Sequence, residues 1–296
     1  MKLKKSRLLP FDYVNLVLML LMMLVMVYPF WYTLVGSLNE GSDYMRGGVW
    51  LWPRKFTLYN YQAVFMDKQI LQAFWVTFWK VFVGTVTSVL FTAMVSYGIT
   101  RPKLKLKKIY IPFIMVTLFF SGGLIPYFIL IKDIGLYDSF WVYIIPSLFS
   151  AYNMVIIQSF MRDLPESLIE SAKIDGASEY RVFFQIILPL SKPVLATIAL
   201  FTAVNHWNSY FDSMMYTSSI ELQTIQLFLK KVITDPSVAR SLSAAAATTI
   251  PEQAVKMTPQ TIKLATMMVT AIPIVIIYPF LQKYFVKGVT MGAVKG

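Results

Sequence analysis

Long uncharged runs constrain this chain more than any other feature of its sequence. Five stretches of 19 to 27 residues contain no Asp, Glu, Lys or Arg, and a sixth, Ile70–Thr100, is interrupted only by Lys80. A helix needs roughly 20 apolar residues, at about 1.5 Å each, to cross a bilayer. Open sheet edges are not tolerated in hydrocarbon, so each span must be a helix. We therefore predict an all-α polytopic membrane protein with six transmembrane helices, the other five being Tyr13–Asn39, Ile109–Ile131, Ser139–Met161, Pro193–Phe211 and Leu264–Gln282.

The composition supports a membrane protein and excludes several kinds of chemistry. The chain is 57% hydrophobic and only 14% charged. Its first apolar run is too long for a signal-peptide core and lacks a small-residue cleavage site, so we expect it to be retained. Without cysteine, the chain has no disulfide or thiolate chemistry. It has one histidine and no metal-ligand cluster, so we expect no metal site and no catalytic residue.

Basic residues indicate the orientation in the membrane. With a cytoplasmic N-terminus, 16 Lys or Arg fall in the inner segments 1–13, 99–108, 162–192 and 283–296. Only 10 fall in the outer segments 40–69, 132–138 and 212–263. This positive-inside bias, clearest in Arg101–Lys108, predicts that both termini are cytoplasmic. The net charge of +12 then reflects topology, and no motif indicates nucleic-acid binding.

These boundaries divide the chain into three parts. We expect a cytoplasmic N-terminus at residues 1–13 and a six-helix membrane domain at residues 14–286, which contains a cytoplasmic loop at 162–192. A cytoplasmic tail follows at residues 287–296. On the outer side, Glu221–Ile233 has the pattern of an amphipathic helix, and Thr258-Pro259 is a helix start.

The loop 162–192 has the pattern of two short helices. Pro165 suits a first helical position, and Gly176 is a natural stop because glycine accepts the left-handed conformation. Ser178 is a candidate cap for a second helix that Pro189 ends, and Pro193 opens the next span. From the helical pattern alone, the loop is either an amphipathic segment on the lipid surface or a docking element for a partner protein.

The fifth predicted span carries a polar stripe. Asn205, Asn208, Ser209 and Asp212 follow an i, i+3, i+4, i+7 spacing and would share one helical face. Such a stripe, with Trp207 beside it, is a candidate lining for a substrate pathway, because amides donate and accept hydrogen bonds and aromatic faces pack on the rings of polar substrates. The alternative is hydrogen bonding between helices of two subunits. We interpret His206 as a packing residue rather than a proton relay.

Two further features lie inside predicted spans. Lys80 is the one lysine within a span, and snorkelling towards the outer headgroups is its favoured interpretation. The sharper alternative is a pathway cation that pairs with Asp212 or attracts an acidic substrate. In the third span, Ser121–Pro126 (SGGLIP) combines two glycines and a proline, a composition that permits a helix break.

The order of residues in the cytoplasmic loop resembles the "EAA" loop of binding-protein-dependent ABC importers. The family pattern is E-A-A, three residues, G, nine residues and I-x-L-P, with Ser171 here in place of the middle alanine. The matching residues, with the Asp175 that precedes the glycine, are Glu170, Ser171, Ala172, Asp175, Gly176, Ile186, Leu188 and Pro189.

Other segments extend this resemblance to the MalG-like carbohydrate permeases, and within them to the LplC/YtcP type associated with complex oligosaccharides. They are Phe120–Trp141, Leu188–Ile198, Asn205–Tyr216 and the final Lys287–Gly296. The resemblance implies the MetI-like permease fold of ABC type I importers, in a bacterial cytoplasmic membrane, and an oligosaccharide substrate moved by alternating access. It implies a second homologous permease subunit, two copies of a cytoplasmic ATPase that bind ATP and Mg, and an extracytoplasmic sugar-binding protein. In that family the loop seats on the ATPase.

Two other classes of function remain as alternatives. A six-helix secondary transporter or channel would work without an ATPase, and would be active when reconstituted alone. A membrane-embedded enzyme would need a cluster of titratable residues, and the sequence has none. No G-x-x-x-x-G-K-[ST] motif occurs, so this chain does not cradle ATP phosphates itself.

Overall fold

The structure, a computed structural model, describes residues 10–102, 104–249 and 256–293, with side chains described as far as residue 277. Across these ranges the regular secondary structure is helical, apart from one isolated bridge between Asn39 and Phe56, and turns or irregular segments connect the helices. The predicted all-α class is confirmed. Parts of the predicted N-terminus (1–9), of the outer loop (250–255) and of the tail (294–296) lie outside the described residues.

The chain divides into two compact units, Met1–Asp67 with Lys231–Ala271 and Lys68–Lys230 with Ile272–Gly296. Short 3-10 helices occur at Phe140–Tyr143 and Ile220–Leu222, and a π-helical segment occurs at Phe183–Ile187. In chain order the α-helices are α1 (Pro10–Ser37), α2 (Gly41–Tyr44), α3 (Tyr59–Met66), α4 (Lys68–Thr100), α5 (Lys107–Phe119), α6 (Leu124–Asp133), α7 (Ala151–Arg162), α8 (Glu166–Ile174), α9 (Glu179–Val182), α10 (Leu188–Leu190), α11 (Lys192–Asn208), α12 (Phe211–Tyr216), α13 (Ile225–Thr234), α14 (Pro236–Thr249) and α15 (Pro259–Ala293).

Three described helical stretches are long and apolar enough to cross a membrane alone: Pro10–Ser37, Lys68–Thr100 and Pro259–Ile277. Two bent pairs raise the number to as many as 5 when each pair is counted as one span. One pair is α5 with α6, bent by 117°, and the other is Glu179–Leu190 with α11, bent by 80°.

The fourth predicted span, Ser139–Met161, is not one continuous helix. It contains the 3-10 helix Phe140–Tyr143 and then α7, which starts only at Ala151. Pro146 lies between them, and proline lacks the N–H that a continuous helix needs and disfavours helical backbone before it. Ser150 caps α7 by accepting a hydrogen bond from the Asn153 amide at 3.3 Å. Local chemistry therefore divides this apolar run.

The break predicted at SGGLIP is confirmed. α5 ends at Phe119 and α6 begins at Leu124. Between them Gly123 has φ 85° and ψ 170°, a conformation open to glycine and costly for other residues.

In the first unit, a buried amide joins the end of α1 to the start of α15. The Asn60 Nδ2 group donates to the carbonyls of Ser37 (2.9 Å) and Asn39 (3.0 Å), and Thr261 Oγ1 donates to Asn60 Oδ1 at 2.8 Å. Thr258 Oγ1 accepts from the Thr261 amide at 3.3 Å. The predicted helix start at Thr258-Pro259 is therefore confirmed.

In the second unit, α4 packs along α11 and α7. α4 approaches α11 closely at Gly84, where a Cβ atom would lie 2.7 Å from His206 Nε2. Glycine at this position lets the imidazole lie against the α4 backbone. His206 is buried and packs against α4, which agrees with the packing part of its interpretation as a hydrogen-bonded packing residue.

The predicted outer helix is present as α13, although it starts at Ile225 rather than Glu221. The Ile225 amide donates to Thr77 Oγ1 of α4 at 2.8 Å, which positions this start. Ile225, Phe228 and Val232 are buried on one face, as expected for an amphipathic helix.

Candidate functional site

The loop 162–192 contains a complete helix-ending motif at the end of α8. α8 ends at Ile174, and Gly176 has φ 78°. The Ala177 amide donates to the Ala172 carbonyl at 2.9 Å, and the Gly176 amide donates to the Lys173 carbonyl at 3.0 Å. These two hydrogen bonds define a Schellman motif, in which glycine is preferred because a Cβ strains the left-handed conformation. The predicted stop at Gly176 is confirmed.

Two predicted boundaries of the loop are corrected and one is confirmed. Pro165 is the cap that precedes α8 rather than its first helical residue. Pro189 does not end the second helix, because the π-helical turn Phe183–Ile187 continues into α10, which contains Pro189. The wider turn leaves room for a residue that has no N–H to donate. Ser178 caps α9 as predicted, by accepting from the Arg181 amide.

The loop is anchored on one side and exposed on the other. Ile169, Val182, Phe183 and Ile187 are buried in a cluster that includes Tyr97 of α4 and Ile157 of α7. On the opposite side, the loop leaves large apolar residues exposed to solvent, above all Ile174, which is 87% exposed, and Tyr180, which is 77% exposed. A rigid loop with exposed apolar residues at its tip is suited to contact another protein.

The residues predicted to couple this loop to a partner occupy both sides of it. Ala172, Ile186 and Leu188 are half-buried and belong to the anchored side. The others are exposed: Glu170, Ser171, Asp175, Gly176 and Pro189.

A hydrogen-bonded network that sequence reasoning missed links the loop to α4. The Lys173 ammonium lies 2.6 Å from Glu179 Oε1, and the Tyr97 hydroxyl donates to Glu179 Oε2 at 2.6 Å. The guanidinium of Arg101 stacks on the Tyr97 ring, 4.5 Å from its centroid. The hydrogen bonds from Lys173 and Tyr97 lower the pKa of Glu179 below its ordinary 4.5, so this carboxylate stays ionised at neutral pH.

The polar stripe of the fifth span does not lie on one continuous helix. α11 ends at Asn208, Ser209 is extended with φ −74° and ψ 121°, and α12 starts at Phe211. The predicted i, i+7 relation between Asn205 and Asp212 is therefore wrong as helical geometry.

Lys80 is buried and paired at this break in the helix. Its side chain has 0% exposure, and Nζ lies 2.6 Å from Asp212 Oδ2. Nζ also donates to the Ser209 carbonyl at 3.3 Å and lies 4.8 Å from the centroid of the Tyr143 ring. Because the ammonium is engaged within the protein, the favoured snorkelling interpretation is wrong. Of the alternative, the pairing with Asp212 is observed, whereas the side chain is fully buried and does not face a pathway.

Besides pairing with Lys80, Asp212 accepts hydrogen bonds from the residues of the break. Its Oδ1 atom accepts from Ser209 Oγ at 2.7 Å and from the Ser213 amide at 2.9 Å. The side chain is 24% exposed, so it still reaches open space.

That open space is a cavity of about 240 Å³. Of the residues predicted for the pathway, Asn205 and Asp212 line it, whereas Asn208, Trp207 and Lys80 do not. Asn208 is exposed elsewhere, and Trp207 is buried edge-to-face against Phe74 with ring centroids 6.0 Å apart. The lining combines carboxylate, amide and hydroxyl groups with three tyrosines, Tyr127, Tyr143 and Tyr216. Aromatic faces beside hydrogen-bonding groups suit a hydroxyl-rich ring.

These features define a class of protein: an all-α membrane permease with a polar cavity and an exposed cytoplasmic-type loop anchored to its helices. The family model described as "Binding-protein-dependent transport system inner membrane component" matches residues 11–291. The chain belongs to this family, whose members are inner-membrane components. This membership does not favour the alternative of a secondary transporter or channel.

Two relatives and one solved structure are similar over almost the whole chain. Protein LplC of Bacillus subtilis (strain 168) is 35% identical over 92% of this chain and 90% of LplC. The polygalacturonan/rhamnogalacturonan transport system permease protein YtcP, from the same organism, is 35% identical over 99% of this chain and 100% of YtcP. A chain in the crystal structure of a bacterial ABC transporter involved in the import of the acidic polysaccharide alginate is 30% identical, with a TM-score of 0.87 over 93% of this chain and 96% of that one.

Proposed function

We propose that this chain is one permease subunit of an ABC importer that moves oligosaccharides into the cell by alternating access. The observation that carries the proposal is the loop Glu170–Gly176, which is anchored by buried Ile169 and presents exposed Ile174 to a partner. A rigid, anchored loop transmits the movement of a docked ATPase to the membrane helices, which a mobile surface loop does not.

The partners follow from this role. We propose a second homologous permease subunit, two copies of a cytoplasmic ATPase that bind ATP and Mg, and an extracytoplasmic sugar-binding protein. The loop 165–189 and both termini would then be cytoplasmic, in agreement with the basic residues of Arg101–Lys108. The exposed coupling residues Glu170, Ser171, Asp175 and Gly176 would contact the ATPase.

The substrate pathway includes the cavity beside Asp212. We propose that Asn205 and Asp212 replace part of the hydration of the sugar hydroxyls, and that the tyrosines pack on the ring. Relatives named for polygalacturonan/rhamnogalacturonan and for the acidic polysaccharide alginate support a complex saccharide as substrate. Lys80 does not act as an anion attractor in this proposal, because Asp212 already balances its charge.

Reconstitution of the native complex tests the proposed function. The tagged chain is purified with its associated subunits and inserted into vesicles with the binding protein, and uptake of a panel of neutral and acidic oligosaccharides is measured with and without ATP. We expect ATP-dependent uptake of at least one saccharide. Uptake by this chain alone, without an ATPase subunit, would contradict the proposal.

A further inference from the structure

One side-chain hydrogen bond joins the coupling loop to the long helix α4. Among the described residues, the Tyr97–Glu179 contact is the only side-chain hydrogen bond between loop 165–189 and α4. The Tyr97 ring is buried and packs 5.4 Å, centroid to centroid, from Phe183 of the loop. The phenol is therefore held in place by packing, and its hydroxyl points at a carboxylate of the loop.

Glu179 connects both helices of the loop through its two oxygens. Oε1 contacts Lys173 at the end of α8, and Oε2 contacts Tyr97 of α4, while Glu179 itself starts α9. A single carboxylate thus sets the position of α8, α9 and α4 relative to one another. The Lys173 contact is largely exposed and therefore weak, whereas the hydrogen bond from the buried phenol to a charged acceptor is of the stronger kind.

α4 also carries the residue that holds the helix break at the cavity. Lys80 precedes Tyr97 by 17 residues, about 25 Å along one uninterrupted helix. Between them, Gly84 holds α4 tightly against His206 of α11. A displacement of the C-terminal end of α4 therefore reaches the Lys80–Asp212 pair through a continuous helix rather than through flexible segments.

We propose that Tyr97 is a positioning residue that passes movement of the coupling loop into α4 through its hydrogen bond to Glu179. The proposal rests on the proposed function, because it requires an ATPase docked on the loop. When the ATPase moves the loop, Glu179 pulls the hydroxyl end of Tyr97, and α4 carries the displacement towards the cavity. Without this bond, the loop still docks but α4 follows it poorly.

The test compares ATP hydrolysis with sugar uptake in the reconstituted complex. Tyr97→Phe removes the hydroxyl and keeps the ring in its packed cluster. We expect normal assembly, normal basal ATP hydrolysis and an uptake-to-ATP ratio that falls about tenfold, the effect typical of losing a hydrogen bond to a charged group. Tyr152→Phe, which removes the hydroxyl of an exposed tyrosine on α7, is the matched control and should leave the ratio unchanged.

A double-mutant cycle separates this role from simple packing. Glu179→Ala should lower the ratio, and adding Tyr97→Phe to Glu179→Ala should lower it no further, since the Tyr97–Glu179 hydrogen bond is already absent in Glu179→Ala. A wild-type ratio in Tyr97→Phe, or strictly additive effects in the double variant, would overturn the inference. Failure of ATP-driven uptake by the wild-type complex would instead contradict the proposed function.

Discussion

Lys80 and Asp212, 132 positions apart in the sequence, form an ion pair with Nζ and Oδ2 separated by 2.6 Å. The pair lies where α11 ends, and both residues contact Ser209 in the break that follows. The charge of Lys80 therefore stabilises an irregular backbone segment next to the cavity. Of the two residues, only Asp212 lines the cavity.

Removing either member of this pair should destabilise the protein more than removing both. Lys80→Met leaves a carboxylate without its cation, and Asp212→Asn leaves a buried ammonium without its anion. Breaking a buried pair typically costs about 3–5 kcal/mol, whereas replacing both members with apolar residues costs much less. We expect a lower melting temperature for each single variant and partial recovery in Lys80→Met/Asp212→Leu. Lys132→Met, which changes an exposed lysine, is the control.

The same variants test whether Lys80 selects acidic sugars. Since Asp212 balances its charge, Lys80→Met should reduce the uptake of acidic and neutral oligosaccharides to the same extent. Uptake of both classes is measured in one vesicle preparation, relative to the amount of assembled complex. A selective loss of acidic substrates would restore the interpretation of Lys80 as an anion attractor.

Gly176→Val should uncouple the loop through backbone strain alone. A Cβ at Gly176 would meet no atom within 4 Å, so a valine side chain has space. However, φ is 78°, a left-handed backbone conformation that costs a residue with a Cβ about 1–2 kcal/mol and is especially unfavourable for β-branched residues. We expect an assembled or partly assembled complex with lost sugar uptake. Gly176→Asn, which tolerates this conformation better, should retain more uptake. Normal ATP-driven uptake in Gly176→Val would remove the docking role of Glu170–Gly176.

The membrane orientation is testable because the chain has no cysteine. Lys105→Cys and Asp235→Cys place single thiols at two exposed positions on opposite predicted sides. In intact cells, an impermeant thiol reagent should label the thiol at 235 and leave the thiol at 105 unmodified until the cells are opened. The reverse labelling pattern would invert the topology and remove the coupling assignment with it.

Asn205 and Asn208 should differ in their effect on transport. Asn205 lines the cavity, whereas Asn208 is exposed outside it, although both were predicted for the pathway. Asn205→Leu should reduce uptake with assembly intact. Because the structure does not bring Asn208 to the cavity, Asn208→Leu is the matched comparison. If Asn208→Leu weakens association with the second permease subunit, Asn208 is an interfacial residue. If only Asn208→Leu reduces uptake in an assembled complex, the pathway lies on the other face of α11.

The sequence by itself determined the features that depend on neighbouring residues. Apolar runs of bilayer length predicted the helical class. The two glycines and the proline of Ser121–Pro126 permitted a helix break, and Gly176 predicted a helix end, because glycine adopts a left-handed backbone conformation without strain. The position of Ser178 predicted the cap of a helix. The order of residues from Glu170 to Pro189 indicated the loop of the binding-protein-dependent transport family. Each of these is a local property of the chain.

Only the tertiary structure decided the pairing of residues that are distant in sequence. The sequence offered the pairing of Lys80 with Asp212 only as an alternative to snorkelling, and nothing near Tyr97 indicates a hydrogen bond to Glu179, 82 positions later. The end of α11 at Asn208 likewise lies where Lys80 donates to the Ser209 carbonyl. Counting helical positions along the polar stripe could not predict this end, because Lys80 is distant in sequence. A charge buried in an apolar environment is stable only where a partner compensates it, so the partner of Lys80 follows from helix packing rather than from local pattern.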